Sequence, residues 1–204
     1  MQERQSFDYP NPQMELVLQH FYEQHPEVVD RAGQEFFSQV QAVQEKVQKE
    51  KIEQLFNEWL VYDFCLKTGK TALETYIYRN PDSLDDSELD LMRQASNSSY
   101  TSHFWIEAVD AQTQLLVLKE CSSGKTFEVR DATASQSVSS NAGIVAARLI
   151  QIDGNWYFAS DPIYFMPFPP LPEDSRGQDF AEVVKLHYGM WGTPDTPPAS
   201  HESN

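Results

Sequence analysis

The sequence predicts an α+β protein, with a helical amino-terminal half packed on a small antiparallel β-barrel-like or twisted-sheet carboxyl-terminal half. Three observations predict it. Up to about residue 100, apolar residues recur every three or four positions, as on helices that bury one face. From Tyr100 onward they alternate or form short runs between turn residues. Hydrophobic residues make up 40% of the 204, enough for a core. The expected division is a helical region over 1–99, a small β domain over 100–166, and a proline-rich connector, short helix and disordered tail over 167–204.

In the helical region, Asn11 and Pro12 read as an N-cap and first helical position, and the helix they open stops before Pro26. Phe36, Val40, Val43 and Val47 then share one face. Ile52, Leu55, Phe56, Trp59 and Leu60 form a second set, out of phase with the first across Gln48–Lys51, so one helix bends there or two meet. Gly69 stops the helix, and Thr71 with Glu74 forms a capping box for the next. Pro81 closes that one, Ser83 caps another, and Leu89, Met92 and Ala95 supply its inner face.

The β region opens on HFWIEAV, which places Phe104, Ile106 and Ala108 on one side and Trp105 and Glu107 on the other. Leu115–Leu118, a turn at Ser122–Gly124, and Thr126–Arg130 complete a meander. Asp131–Gly143 has little to bury and reads as a long loop. Ile144–Ile152, then Asp153 and Gly154, then NWYF is the strongest hairpin signal, with a last strand at Ile163–Met166. Beyond it, PFPPLPEDSRG is a connector, and Phe180, Val183, Val184, His187 and Tyr188 lie at amphipathic spacing.

Composition narrows the function classes. The net charge of −16, from 31 acidic and 15 basic side chains, disfavours nucleic acid, whose binders use basic surfaces. There is no apolar run long enough to span a membrane and the amino terminus lacks a basic start followed by an apolar stretch, so a cytoplasmic protein without a membrane partner is expected. Cys65 and Cys121 suit neither a disulfide framework nor a zinc knuckle and read as ordinary buried thiols.

Motifs for chemistry are sparse. Gly69-Lys70-Thr71 imitates the end of a phosphate-binding loop, but Phe64 stands where that loop needs glycine; Gly124-Lys125-Thr126 fails the same test at Lys119. His20, His25, His103, His187 and His201 make no short metal signature, and no metal or cofactor is expected. Helical spacing puts Asp63 on the stripe of Phe56, Trp59 and Leu60, where a carboxylate either meets donors at a packed junction or has the raised pKa of a catalytic acid. Trp105 and Tyr157 read as core residues of a small barrel, or as aromatics that stack on a ligand. Trp59, Asp63, Trp105 and Tyr157 are the candidate binding residues; none is assigned as catalytic.

FNEWLVYDF, Gly69 with Thr71 and ALETYI, and the strands LLVLKECSSGKTFEVRD and IVAARLIQIDGNWYFAS follow one another in an order that resembles an uncharacterised bacterial family, related to the amino-terminal region of SEC-C motif-containing proteins, over roughly residues 50–165. The tail contains no cysteine, so the zinc motif of such proteins has no counterpart here. The resemblance implies no established activity. The first functional expectation is a non-enzymatic protein-interaction or adaptor module that binds a protein or peptide through a sheet edge or the groove between halves. The alternatives are an enzyme built around Asp63 and a nucleic-acid-binding small barrel.

Overall fold

The computed structural model describes residues 12–41, 49–138 and 143–165. The expected cap at Asn11, the inward Val43 and Val47, Met166 and the tail helix lie outside them. Helix α1 (Pro12–Gln24) and helix α2 (Pro26–Val40) meet at His25, and Pro26 opens α2, where a missing N–H forfeits no helical bond. Val29, Ala32, Phe36 and Val40 turn inward from α2. Helix α3 (Lys49–Tyr62) buries all five residues its periodicity selects, and the rings of Phe36, Phe56, Trp59 and Phe64 pack at centroid distances of 5.3–5.6 Å.

Helix α4 (Ala72–Arg79) starts on the capping box of Thr71 and Glu74, and Asn80 ends it in the left-handed region at φ +43°. Helix α5 (Asp86–Ser98) is capped by Asp85 rather than Ser83. Asp85 and Glu88 bond each other's backbone N–H, satisfying two helix-end donors at once, while Ser83 sits in the preceding turn at φ +53°.

Strands β1 (Tyr100–Asp110), β2 (Leu115–Glu120) and β3 (Thr126–Arg130) form the meander. A short helix, α6 (Ala132–Ser137), leads to β4 (Ile144–Ile152), which returns antiparallel beside β1 and completes a Greek key. β5 (Asn155–Phe158) pairs antiparallel with β4 and parallel with β3 at Val129 and Trp156, closing five strands into a barrel. β6 (Ile163–Phe165) continues along the same edge of β4, opposite Ile144–Ala146. The fold is thus α+β with a closed mixed barrel. The parallel pair is what closure adds to the expected antiparallel set, because a hairpin from β4 delivers β5 to β3 running in its direction. Five-stranded Greek-key barrels of this architecture include the OB-folds.

Three details depart from the alternation and loop expectations. β1 slips register between Ile106 and Ala108, so Ala108 is exposed and Val109 packs on the barrel core in its stead. Within Asp131–Gly143, the side chain of Asp131 accepts from the Ala134 N–H at 2.7 Å and starts α6, whose Ala134, with Val138, plugs the barrel core. Cys65 is exposed; Cys121 is half-buried, with burial pushing its thiol up to about 12. The Asp153-Gly154 hairpin forms as read, both residues at positive φ (+49° and +78°) as a type I′ turn demands.

β4 is the wall the two halves share. Val145, Ala147 and Leu149 face the barrel core, Ile144 and Ala146 join the helical core, and Ile150 and Ile152 pack on Ala95 of α5. His103 of β1, opposite Ala146, has no exposed surface, and burial pushes its imidazole from 6.5 down to about 4. The unfolded chain takes up a proton near pH 6.5 that the native state refuses until about pH 4, so this contribution is intact above 6.5 and drains away as pH falls towards 4. The loss amounts to about 3 kcal/mol. Urea melts at pH 7 and pH 4 should therefore differ by about that much less in His103→Gln than in the parent chain; an unchanged difference would refute a neutral buried imidazole.

Candidate functional site

The four sequence candidates all lie at or near the junction of the halves, but they do not form one cluster. Trp59 is 1% exposed within the helical core. Trp105 is half-buried against that core, whereas Tyr157 packs beside Ala95, Ile150 and Ile152. Asp63 lies just past the end of α3, and its carboxylate accepts from Nη2 of Arg148.

Arg148 projects from β4 into the junction and is 5% exposed. Its Nε donates to Glu58 Oε1 at 3.0 Å and its Nη1 to Ser99 Oγ at 2.9 Å, and its guanidinium lies 4.9 Å from the Tyr62 ring centroid. Ser160 donates to the other Glu58 oxygen. Burial pushes the Glu58 carboxyl up against the pull of Arg148. Burial also opposes the Arg148 charge, but Asp63 and Glu58 outweigh it and hold the guanidinium above its ordinary value. The arrangement is a buried ion network whose donors are taken up by one another, so Asp63 meets a basic side chain at a packed junction. A second buried carboxylate, Glu120 at the end of β2, accepts hydroxyl bonds from Tyr100, Ser102 and Ser123.

Open space lies elsewhere, on the helical half. A cavity of about 470 Å3 has Phe21, Val28 and Leu66 as its apolar wall and Arg31, Lys67, Arg79 and His25 as its cationic or titratable groups. Glu27 is the one carboxylate lining it among the described residues. Thr68 and Thr75 also line it, and Thr75 Oγ1 is buried with no hydrogen-bond partner among the described residues. Arg31 is held over the Phe64 ring at 5.0 Å, and Arg79 Nη1 stands 3.3 Å from His25 Nε2.

A second cavity of about 400 Å3 is bordered by His20, Glu23 and Asp82. The His20 and His25 rings meet edge to face at 5.3 Å, and His20 meets Tyr76 at 5.5 Å. Tyr76 donates to Asp82, and burial with that bond pushes its phenol up; burial and then His25 push the His20 imidazole down. Among the described residues, neither cavity brings three His, Cys, Asp or Glu side chains into a metal-binding group.

A family of unknown function, DUF7986, matches residues 14–171, a span that includes both cavities and the whole barrel. The chain belongs to that family. No curated protein and no solved structure matches it. The family match does not bear on the likeness to SEC-C proteins read from the sequence. It does encompass the groups that the sequence reading passed over: Arg31, Lys67, Thr75 and Arg79, widely separated in the chain and joined only by the packing of α1, α2 and α4. The rejected Gly69-Lys70-Thr71 motif gave no signal of it: the residues of that loop that line the cavity are Lys67 and Thr68, which precede the motif.

In this DUF7986 member the Arg148 network ties α3 to β4, and its removal has a definite signature. Arg148→Met leaves Glu58 buried without its cation and should destabilise the fold by about 3–5 kcal/mol in chemical denaturation. Adding Glu58→Gln and Asp63→Asn to that variant should recover most of the loss, since the uncompensated charge is what costs; a triple variant as unstable as the single one would contradict this account.

Proposed function

We propose that the protein is a non-catalytic binding module that recognises an anionic group in the cationic cavity between α2, α4 and the α3–α4 loop. The observation that carries the reading is the reversal of charge: three cations and a histidine face one carboxylate around a recess, in a chain whose net charge is −16. Scattered lysines and arginines on so acidic a surface would ordinarily be neutralised by nearby carboxylates, and concave sites of about 300–1,000 Å3 are where small ligands bind.

The protein-interaction or adaptor role expected from the sequence enters here through the partner. Tyr78 is 79% exposed on α4, next to Arg79 of the cavity, and an exposed aromatic beside a charged recess suits a peptide that inserts an anionic side chain. The barrel favours a nucleic-acid partner less. The β2–β3 face that OB-folds use for oligonucleotides carries Lys119 paired with Glu107 at 3.5 Å, Arg130 bonded to Asn155, and the exposed Glu128.

Thermal unfolding with phosphate, pyrophosphate, citrate and succinate, each matched in ionic strength with sodium chloride, tests the reading. At least one anion should raise the midpoint by a few degrees, as ligand linkage requires, and the rise should vanish in Arg31→Gln/Arg79→Gln. No shift with any of the four, or an equal shift in the double variant, overturns it.

A further inference from the structure

The residues lining the cationic cavity come from four segments of the chain. His25 comes from the α1–α2 junction, Arg31 from α2, Lys67 and Thr68 from the α3–α4 loop, and Thr75 and Arg79 from α4. A carboxylate presents two oxygens in a plane and is satisfied by a single arginine fork. Donors reaching in from four segments instead suit a tetrahedral group with several acceptor oxygens. The charge agrees: Arg31, Lys67 and Arg79 against Glu27 leave an excess of two, matching the −1.5 to −2 of a phosphomonoester near neutral pH. Arginine and lysine together are also the side chains that phosphoryl recognition employs, one as a fork and the other as a point charge.

Room and lining add the second half of the ligand. A cavity of about 470 Å3 is far larger than a bare phosphate, and Phe21, Val28 and Leu66 give it an apolar wall.

We infer that the cavity binds a phosphomonoester joined to an apolar body, with Lys67, Arg31 and Arg79 on the phosphoryl oxygens. This rests on the anion-binding reading above and deepens it. The same chemistry is offered by a small organic phosphate and by a phosphorylated side chain on a peptide.

Titration calorimetry with the full chain separates the cases, using phenyl phosphate, benzoate and citrate, and a short phosphothreonine peptide with its unphosphorylated counterpart. Phenyl phosphate or the phosphopeptide should bind at least tenfold more tightly than benzoate and citrate. A tighter phosphopeptide identifies a protein source for the group, and a tighter phenyl phosphate a small-molecule source. Lys67→Ala, on an exposed loop, should weaken phosphoryl binding about tenfold without moving the unfolding midpoint. Carboxylates binding as well as phosphomonoesters would overturn the phosphoryl assignment while leaving an anion site intact. Binding of none of the probes would overturn both.

Discussion

Arg148 sets the geometry of the junction, because a guanidinium is never neutral in a protein and must find carboxylates wherever its strand carries it. It sits on β4 between Ala146 and Ile150, both buried against helices, so its charged end is almost wholly withdrawn from water. Its planar fork points three ways and is met by Glu58 on α3, Asp63 just beyond α3 and Ser99 at the entry to β1. Moving α3 by one turn would displace Glu58 and Asp63 by about 5.4 Å and break both ion pairs. The register of α3 on the barrel is therefore tied to one side chain. From the end of α3 the chain turns through Phe64 and Gly69 into α4, carrying Lys67 and Thr68 to the cavity rim, so the cleft inherits its position from the ion network.

The parts of the fold governed by local rules were legible in the sequence. The five inward residues of α3, the Thr71–Glu74 capping box and the Asp153-Gly154 turn each depend on a few adjacent residues, and each is found where the pattern put it. Ser83 misled because two polar residues competed for one cap, and Asp85 also had a glutamate at the reciprocal position. Ala108 misled because a bulge inverts alternation without leaving a sign in the residue types. α6 escaped notice because ATASQS has almost no apolar periodicity, and its place is fixed by a cap and by Ala134 in the barrel core.

The junction and the cleft differ in how far they could have been foreseen. Arg148 stands inside IVAARLIQI, and a charge in a run buried on both faces has to be paired; the strand announced that a partner existed, although not that it was Glu58 with Asp63. The cleft left no comparable mark. Arg31, Lys67 and Arg79 stand far apart in the chain on separate elements, and their convergence is a property of how α2 and α4 pack around Phe21 and Leu66. Trp105 and Tyr157 drew attention by residue type, which reports a large buried area as readily as a ligand surface.

An anion site on a chain of net charge −16 works against its own surroundings, and the magnitudes decide whether it can function. At 0.15 M ionic strength, interactions beyond about 8 Å are largely screened, so carboxylates farther than that from the cavity contribute little. Arg31, half-buried over Phe64, and the exposed Arg79 beside His25 are by contrast within reach of anything seated there, and Arg31, partly withdrawn from water, attracts the more strongly. The acidic exterior then acts on encounter more than on the bound state: it slows the approach of anions in general and leaves retention to the few contacts inside the recess. Selectivity follows from that division. A diffuse polyanion meets the repulsive surface over its whole length, whereas a compact group small enough to enter meets three cations against Glu27, so a surface that disfavours a long polyanion is compatible with the proposed capture of a single anionic group.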